Sequence, residues 1–360
     1  TYSNSNYFGF NISGFDSYFS QTLGLLNEFI NSMHVRDSDK EKLNKLIENS
    51  KITRDRELKD PATAGRALRD YVMYGKKSPY LRRSTLSQVQ KMTPEFLIEQ
   101  VKNAMKYEVD ILYTGTIKKQ EVINYINSTL DISSNLNKTS SPITIDYKKY
   151  SRNTVYLIDD PKAVQSQIYI ITEGEVLSKE DRSKSDVFNK YFGRGMASII
   201  FQEIREFRSL AYTAYGSYIN RSDITMPGYF MGYMGTQVDK TNNAISTYID
   251  LFRNLPIKEN RIATIKSGLT QSINTRKPGW RSQGNYVSNL LKEGYTEDPN
   301  KLDYNIYQNI AFNDVIQFYK DNIKTDPIVI TIVTDKSKIS IDKILDYGEL
   351  IEVNKDKVFN

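Results

Sequence analysis

Cysteine is absent from the 360 residues, and histidine and tryptophan occur once each, as His34 and Trp280. With no thiolate there is no disulfide and no sulfur-held metal. With a single imidazole there is no two-histidine metal motif either, since a catalytic zinc takes about three protein ligands. His34 falls at a helix end, where a surface or capping role suits it better than ligation. The chain has no apolar run near the roughly 18 residues of a membrane-spanning helix. Long basic runs are also missing. Lys and Arg outnumber Asp and Glu by 49 to 43, a net charge of +6. They come as scattered doublets such as Lys76-Lys77, Arg82-Arg83, Lys118-Lys119 and Lys148-Lys149, with no nucleic-acid-binding signature around them. The charge reads as a solvated basic surface, not as a nucleic-acid interface.

What is present is ordinary for a soluble globular protein: 39% hydrophobic and 26% charged residues, with 26 Tyr and 15 Phe. The length allows two domains, each with its own core. A short strand is expected at Tyr7–Ile12. Helices follow at Asp16–Met33 and Ser38–Ile47, and from Asp60-Pro61, a capping pair, to a stop at Gly75. Helices at Ser84–Lys91 and Thr93–Met105, a strand at Val109–Tyr113 and a helix at Lys119–Leu130 complete the first half. The Ser/Asn/Thr-rich stretch 131–142 has no periodicity and reads as connecting chain. Strands at Thr154–Ile158 and Gln167–Ile171 and a helix at Lys179–Tyr191 open the second half. It continues with helices at Thr241–Arg253, Glu259–Asn274, Gln283–Lys292, Tyr304–Ile310 and Asn313–Ile323. A strand at Ile328–Val333 and a helix at Ile339–Leu345 close it.

The two halves end alike, each with helix, short turn, strand and helix, at an offset of about 220 residues, too long for a solenoid repeat and suited to a duplicated domain. The first module is then short by about 80 residues at its N-terminus. The expected division is a first, incomplete module at 1–136, a linker at 137–143 and a complete second module at 144–360.

The most patterned stretch runs from Phe192 to Thr236. Gly193 and Gly195 permit a sharp turn. Met196, Ile199, Ile200, Ile204 and Phe207 then recur at helical spacing. The period changes at Tyr212: Tyr212–Ile219 reads as a strand, 220–227 as a turn and Tyr229–Thr236 as the antiparallel return. Phe192-Gly193-Arg194-Gly195 lacks the Gly-Lys-Ser/Thr ending of a phosphate loop and reads as a structural turn. Trp280 reads as a core or seam residue. Tyr229, Met231 and Tyr233 read as sheet core.

Arg205-Glu206, Leu210-Ala211-Tyr212 and Gly235-Thr236, with Asp160-Pro161 and Gln165-Ser166 upstream, resemble the C-terminal half of the insulinase/pitrilysin zinc metallopeptidases. The resemblance implies an α+β fold of two homologous modules, each a mostly antiparallel sheet covered by helices. It also implies a chain without the His-x-x-Glu-His zinc site, which the family carries in its N-terminal half or in a partner subunit. By that resemblance Arg205 and Tyr212 are substrate-binding donors, reaching across to a peptide. No catalytic or metal-binding residue is expected in this chain, which should be inactive alone. Its expected partners are a zinc-bearing half and a peptide substrate. The alternative is a catalytically inactive peptide-binding or scaffold protein of the same fold. From spacing alone, the preferred reading is a helix-end Arg205 paired with Glu203 or Glu206 and a Tyr212 packed in the sheet; the resemblance favours the donor roles.

Overall fold

The computed structural model describes residues 1–3, 7–132, 136–139 and 144–360. The chain forms two compact units. The first comprises 1–53, 84–145 and 278–287, and the second 54–83, 146–277 and 288–360. The linker expected at 137–143 falls partly on 140–143, outside the described residues.

The first unit is mainly helical. Its helix at Phe19–Asn31 packs Phe19 edge-on against Tyr113 and Tyr125. Asp16 opens the 3-10 turn Asp16–Tyr18 that leads into that helix, and accepts from the Thr116 N–H at 2.7 Å, the Thr116 hydroxyl at 2.5 Å and the Tyr113 hydroxyl at 2.9 Å. These bonds hold the Asp16 carboxyl below its ordinary pKa. Thr93 caps its helix as expected, accepting from the Phe96 N–H. Of the expected N-terminal strand, only Phe8–Gly9 pairs, with Tyr2–Ser3.

Residues 109–113, expected as a strand, lie in no ladder among the described residues. A strand needs neighbours for its N–H and C=O groups. Among the described residues, the bridge Tyr107↔Asn137 is the pairing that occurs beside this segment. Val109, Ile111 and Leu112 accordingly remain exposed. The expected likeness between the ends of the two halves therefore has no counterpart in strand pairing. Trp280 is exposed rather than in a core, with the Arg281 guanidinium 4.3 Å from its ring centroid.

The second unit carries a six-stranded sheet. Its strands are β1 (Thr154–Asp159), β2 (Gln165–Glu173), β3 (Ala211–Ile219), β4 (Tyr229–Gln237), β5 (Val329–Thr334) and β6 (Glu349–Glu352). They lie in the order β3-β4-β2-β5-β1-β6. β3–β4, β4–β2 and β2–β5 are antiparallel, and β5–β1 and β1–β6 parallel. The fold is thus α+β with a mostly antiparallel sheet covered by helices.

Alternation along the strands sends two sets of side chains to two faces. On one face Val155, Leu157, Ile168, Ile170, Phe230, Met234, Ile330 and Ile332 form the main core. Helices α2 (Lys179–Phe192), α3 (Thr241–Arg253), α4 (Ile262–Thr275), α5 (Pro299–Asn309) and α6 (Phe312–Asn322) contribute to that cluster. On the other face Tyr156, Ile158, Val329 and Val333 meet Ala64, Ala67, Leu68 and Val72. Those four residues belong to helix α1 (Pro61–Tyr74), which has the expected Asp60 cap, bonding the Ala62 and Thr63 N–H groups. Residues 54–83, expected in the first module, belong to the second unit, and their apolar face packs on this sheet.

β3 is an edge strand, and α2 seals part of its outer side. The Asn189 side chain donates to the Tyr218 carbonyl at 2.9 Å and accepts from the Tyr218 N–H at 2.6 Å. One buried amide thereby stands in for a neighbouring strand, which removes the hazard of an unpaired edge. Two residues earlier the Gly216 N–H donates to the Gly193 carbonyl at 3.4 Å. A Cβ on Gly193 would lie 2.2 Å from the Gly216 carbonyl oxygen, so the close approach requires glycine. Gly193→Ala is expected to cost about 3 kcal/mol by overpacking against backbone that cannot yield. Urea unfolding would show it, and an unchanged midpoint would contradict the close-packing argument.

Candidate functional site

Arg205 and Tyr212 come together at one end of the sheet, where β3 and β2 begin and β4 ends. The register there pairs Gln165 with Gln237 and Thr236 with Ala211. Behind them the end of the sheet is tied by buried hydroxyls. Ser166 sits between Thr241 at 2.5 Å and Thr334 at 2.6 Å, joining the start of β2 to the start of α3 and the end of β5. Asp160, of the Asp-Pro pair, accepts from Lys355 at 2.7 Å and from the Lys162 N–H.

The helix before β3 differs from the expected one. It starts at Ile199, because Gly195, with φ +94, and Ser198 still belong to the turn. From Phe201 to Glu206 it is a π-helix, closed by the Phe207 N–H on the Gln202 carbonyl at 2.9 Å. The wider turn shifts the phase of the side chains. Ile199, Ile200 and Ile204 remain fully buried, whereas Met196 and Phe207, expected on the same stripe, are 75% and 65% exposed.

A second irregularity opens β3. Its register with β4 shifts between Ala211 and Thr213, leaving Tyr212 in a β-bulge. A bulge re-aims a side chain. Tyr212 and Thr213 consequently both face solvent, breaking the expected alternation, and Tyr212 is 76% exposed.

The Arg205 guanidinium lies over the Tyr212 ring at 5.3 Å and over the Phe201 ring at 4.7 Å. Such stacking occupies the face of the guanidinium and leaves its in-plane N–H groups free to donate. Neither carboxylate nearby takes it fully. Glu203 is engaged by Lys258 at 2.8 Å and by Arg208 at 3.7 Å. Glu206 reaches Arg205 only at 3.6 Å, with both side chains well exposed, a pairing worth little. Among the described residues the Tyr212 hydroxyl has no hydrogen-bond partner. Tyr212 is therefore not packed in the sheet, and Arg208 is held away from it by Glu203. The site has two adjacent donors, one cationic and one neutral, with no acceptor for the phenol among the described residues.

No metal centre fits these residues. Among the described residues no group of three or more His, Cys, Asp or Glu side chains could hold an ion. His34 is exposed, with Nδ1 donating to the Ser32 carbonyl at 2.6 Å. Also among the described residues, no helix is long and apolar enough to cross a membrane.

Residues 108–269, which include both donors, match the family described as peptidase M16 inactive domain. No curated protein sequence matches the chain. Among solved structures, a peptidase M16 inactive domain from Pseudomonas fluorescens superposes with a TM-score of 0.64 at 14% identity. That match covers 87% of this chain and 74% of the other. A conserved protein from Enterococcus faecalis gives 0.66 at 17% identity, over 89% and 75% of the two chains. A periplasmic protease from Escherichia coli gives 0.65 at 12% identity, over 88% of this chain and 35% of that one. At such identities the structures speak for the fold. Together with the family match, they bear out the likeness read from the sequence, to the C-terminal, non-catalytic half of an insulinase-type peptidase.

Because its hydroxyl has no partner among the described residues, Tyr212→Phe is expected to leave stability within about 0.5 kcal/mol. Tyr212→Ala should lose the stacking, about 0.5–1 kcal/mol at an exposed site. Denaturant unfolding checks both, and a large loss from the Phe variant would mark the hydroxyl as a structural group.

Proposed function

We propose that this chain is the non-catalytic half of a zinc-dependent metalloendopeptidase, forming chamber wall and presenting Arg205 and Tyr212 to a bound peptide. The zinc belongs to an N-terminal half of the same chain or to a partner subunit. The observation that carries the reading is the stacked pair itself. A guanidinium 5.3 Å above an exposed phenol ring, with the hydroxyl lacking any acceptor among the described residues, suits a carbonyl oxygen arriving from outside.

The chemistry follows from the two groups. Arg donates several N–H groups in a fixed plane, and Tyr donates one O–H. Aimed at the carbonyl of the bond to be cut, they bind the ground-state oxygen. They bind it more strongly as negative charge develops on it during attack, which lowers the barrier. The stacking fixes the guanidinium before substrate arrives, so little ordering remains to be done at that moment.

The test uses the chain together with its zinc-bearing half. Tyr212→Phe and Arg205→Lys should each lower kcat/KM by about 10²–10³, the usual effect of removing one oxyanion donor, with thermal melts unchanged. Lys keeps the charge but not the planar fork, so it should not rescue. The chain alone should show neither stoichiometric zinc after dialysis nor chelator-sensitive peptidase activity. Folded variants with near-normal kcat/KM would refute the donor assignment and favour the inactive scaffold reading. Zinc-dependent cleavage by the chain alone would refute the non-catalytic assignment.

A further inference from the structure

Six residues separate Arg205 from Tyr212, and the backbone departs from regular geometry three times around them. The helix ends in its π-helical turn, Ser209 takes φ +47, and β3 opens on its bulge. Ser209 is the non-glycine residue with positive φ among the described residues. A side chain costs free energy in that conformation, which glycine adopts without penalty. Ser209 is exposed, so nothing in the packing of its side chain compensates.

The strain is instead held by bonds on both sides. The Leu210 N–H donates to the Ile204 carbonyl at 2.9 Å, reaching back into the π-helical turn. The Leu210 carbonyl accepts from the Thr236 hydroxyl at 2.5 Å, which anchors the joint to the end of β4. The Ser209 carbonyl accepts from Lys240 Nζ at 3.1 Å. Lys240 has no carboxylate within ion-pair reach among the described residues, so its ammonium is committed to that carbonyl. A cation–carbonyl bond is stronger than a neutral one. Backbone strain kept in place by surrounding bonds is characteristic of sites that need a set geometry.

We propose that Ser209 and Lys240 are positioning residues: the left-handed Ser209 backbone, clamped by Lys240, sets the Tyr212 ring against the Arg205 guanidinium. The proposal rests on the donor role assigned above. Neither residue touches the peptide in this account; both act through Tyr212.

The experiment places 3-fluorotyrosine at position 212 and reads its ¹⁹F resonance in the full chain, alongside kcat/KM with the zinc-bearing half. Ser209→Gly fits the left-handed conformation without strain. It should keep the resonance and turnover and raise Tm by about 2 °C. Ser209→Val changes an exposed side chain, so its effect is on the backbone alone. It should move the resonance and lower kcat/KM by about tenfold to a hundredfold, the effect of a displacement near 1 Å. Lys240→Met should move the resonance the same way, and Lys240→Arg should restore it. A wild-type resonance in both Ser209→Val and Lys240→Met overturns the proposal, even where Tyr212→Phe impairs turnover and the donor reading stands. A displaced resonance with turnover insensitive to Ser209→Val and to Tyr212→Phe supports the clamp and removes the donor role instead.

Discussion

Everything at the candidate site hangs from an edge strand, and an edge strand must satisfy its outer row of backbone groups somewhere. Here α2 does so, with the Asn189 amide bonded both ways to Tyr218 and the Gly193 carbonyl taking the Gly216 N–H. Those bonds bring the turn after α2 into backbone contact with β3, which only glycine at 193 permits. The chain must then return from this turn to the start of the same strand. It does so through a short helix with a π-helical end, a left-handed Ser209 and a bulge. The irregularities are the geometric cost of a tight return, and they deliver Arg205 and Tyr212 to one place.

The electrostatics of the site are arranged by exclusion. Arg208 and Lys258 take the Glu203 carboxylate. Arg205 is left to stack on aromatic rings, with one long contact to Glu206. An arginine locked by a good carboxylate would have its donors used. An arginine stacked on Tyr212 and Phe201 keeps them available while its position is fixed. In the proposed reading, this planar donor and a phenol with no partner among the described residues suit an incoming carbonyl oxygen.

Much of this was legible in the sequence. The Asp60-Pro61 cap, the two-period switch near Tyr212 and the hairpin to Thr236 follow from local chemistry, and the structure shows each. Arg205 and Tyr212 were named from motif positions, and the structure brings them into contact. The phase of Met196 and Phe207 was not readable, because a π-helical turn leaves no mark in a 3.6-residue pattern. The bulge at Tyr212, the left-handed Ser209 and the Lys240 clamp were missed for a similar reason: each depends on tertiary bonds rather than on neighbours in sequence. Residues 109–113 have strand-like composition, but composition does not supply a pairing partner. Asn189 reads in sequence as an unremarkable polar residue inside a helix, and only the fold shows that it completes a sheet.

The most direct test is a structure of this chain joined with its zinc-bearing half and an uncleaved peptide. The account predicts an Arg205 N–H and the Tyr212 hydroxyl both within about 3 Å of one backbone carbonyl oxygen of the peptide, at hydrogen-bonding distance. A peptide bound in the enzyme with both groups still turned to solvent or to other protein side chains would contradict it.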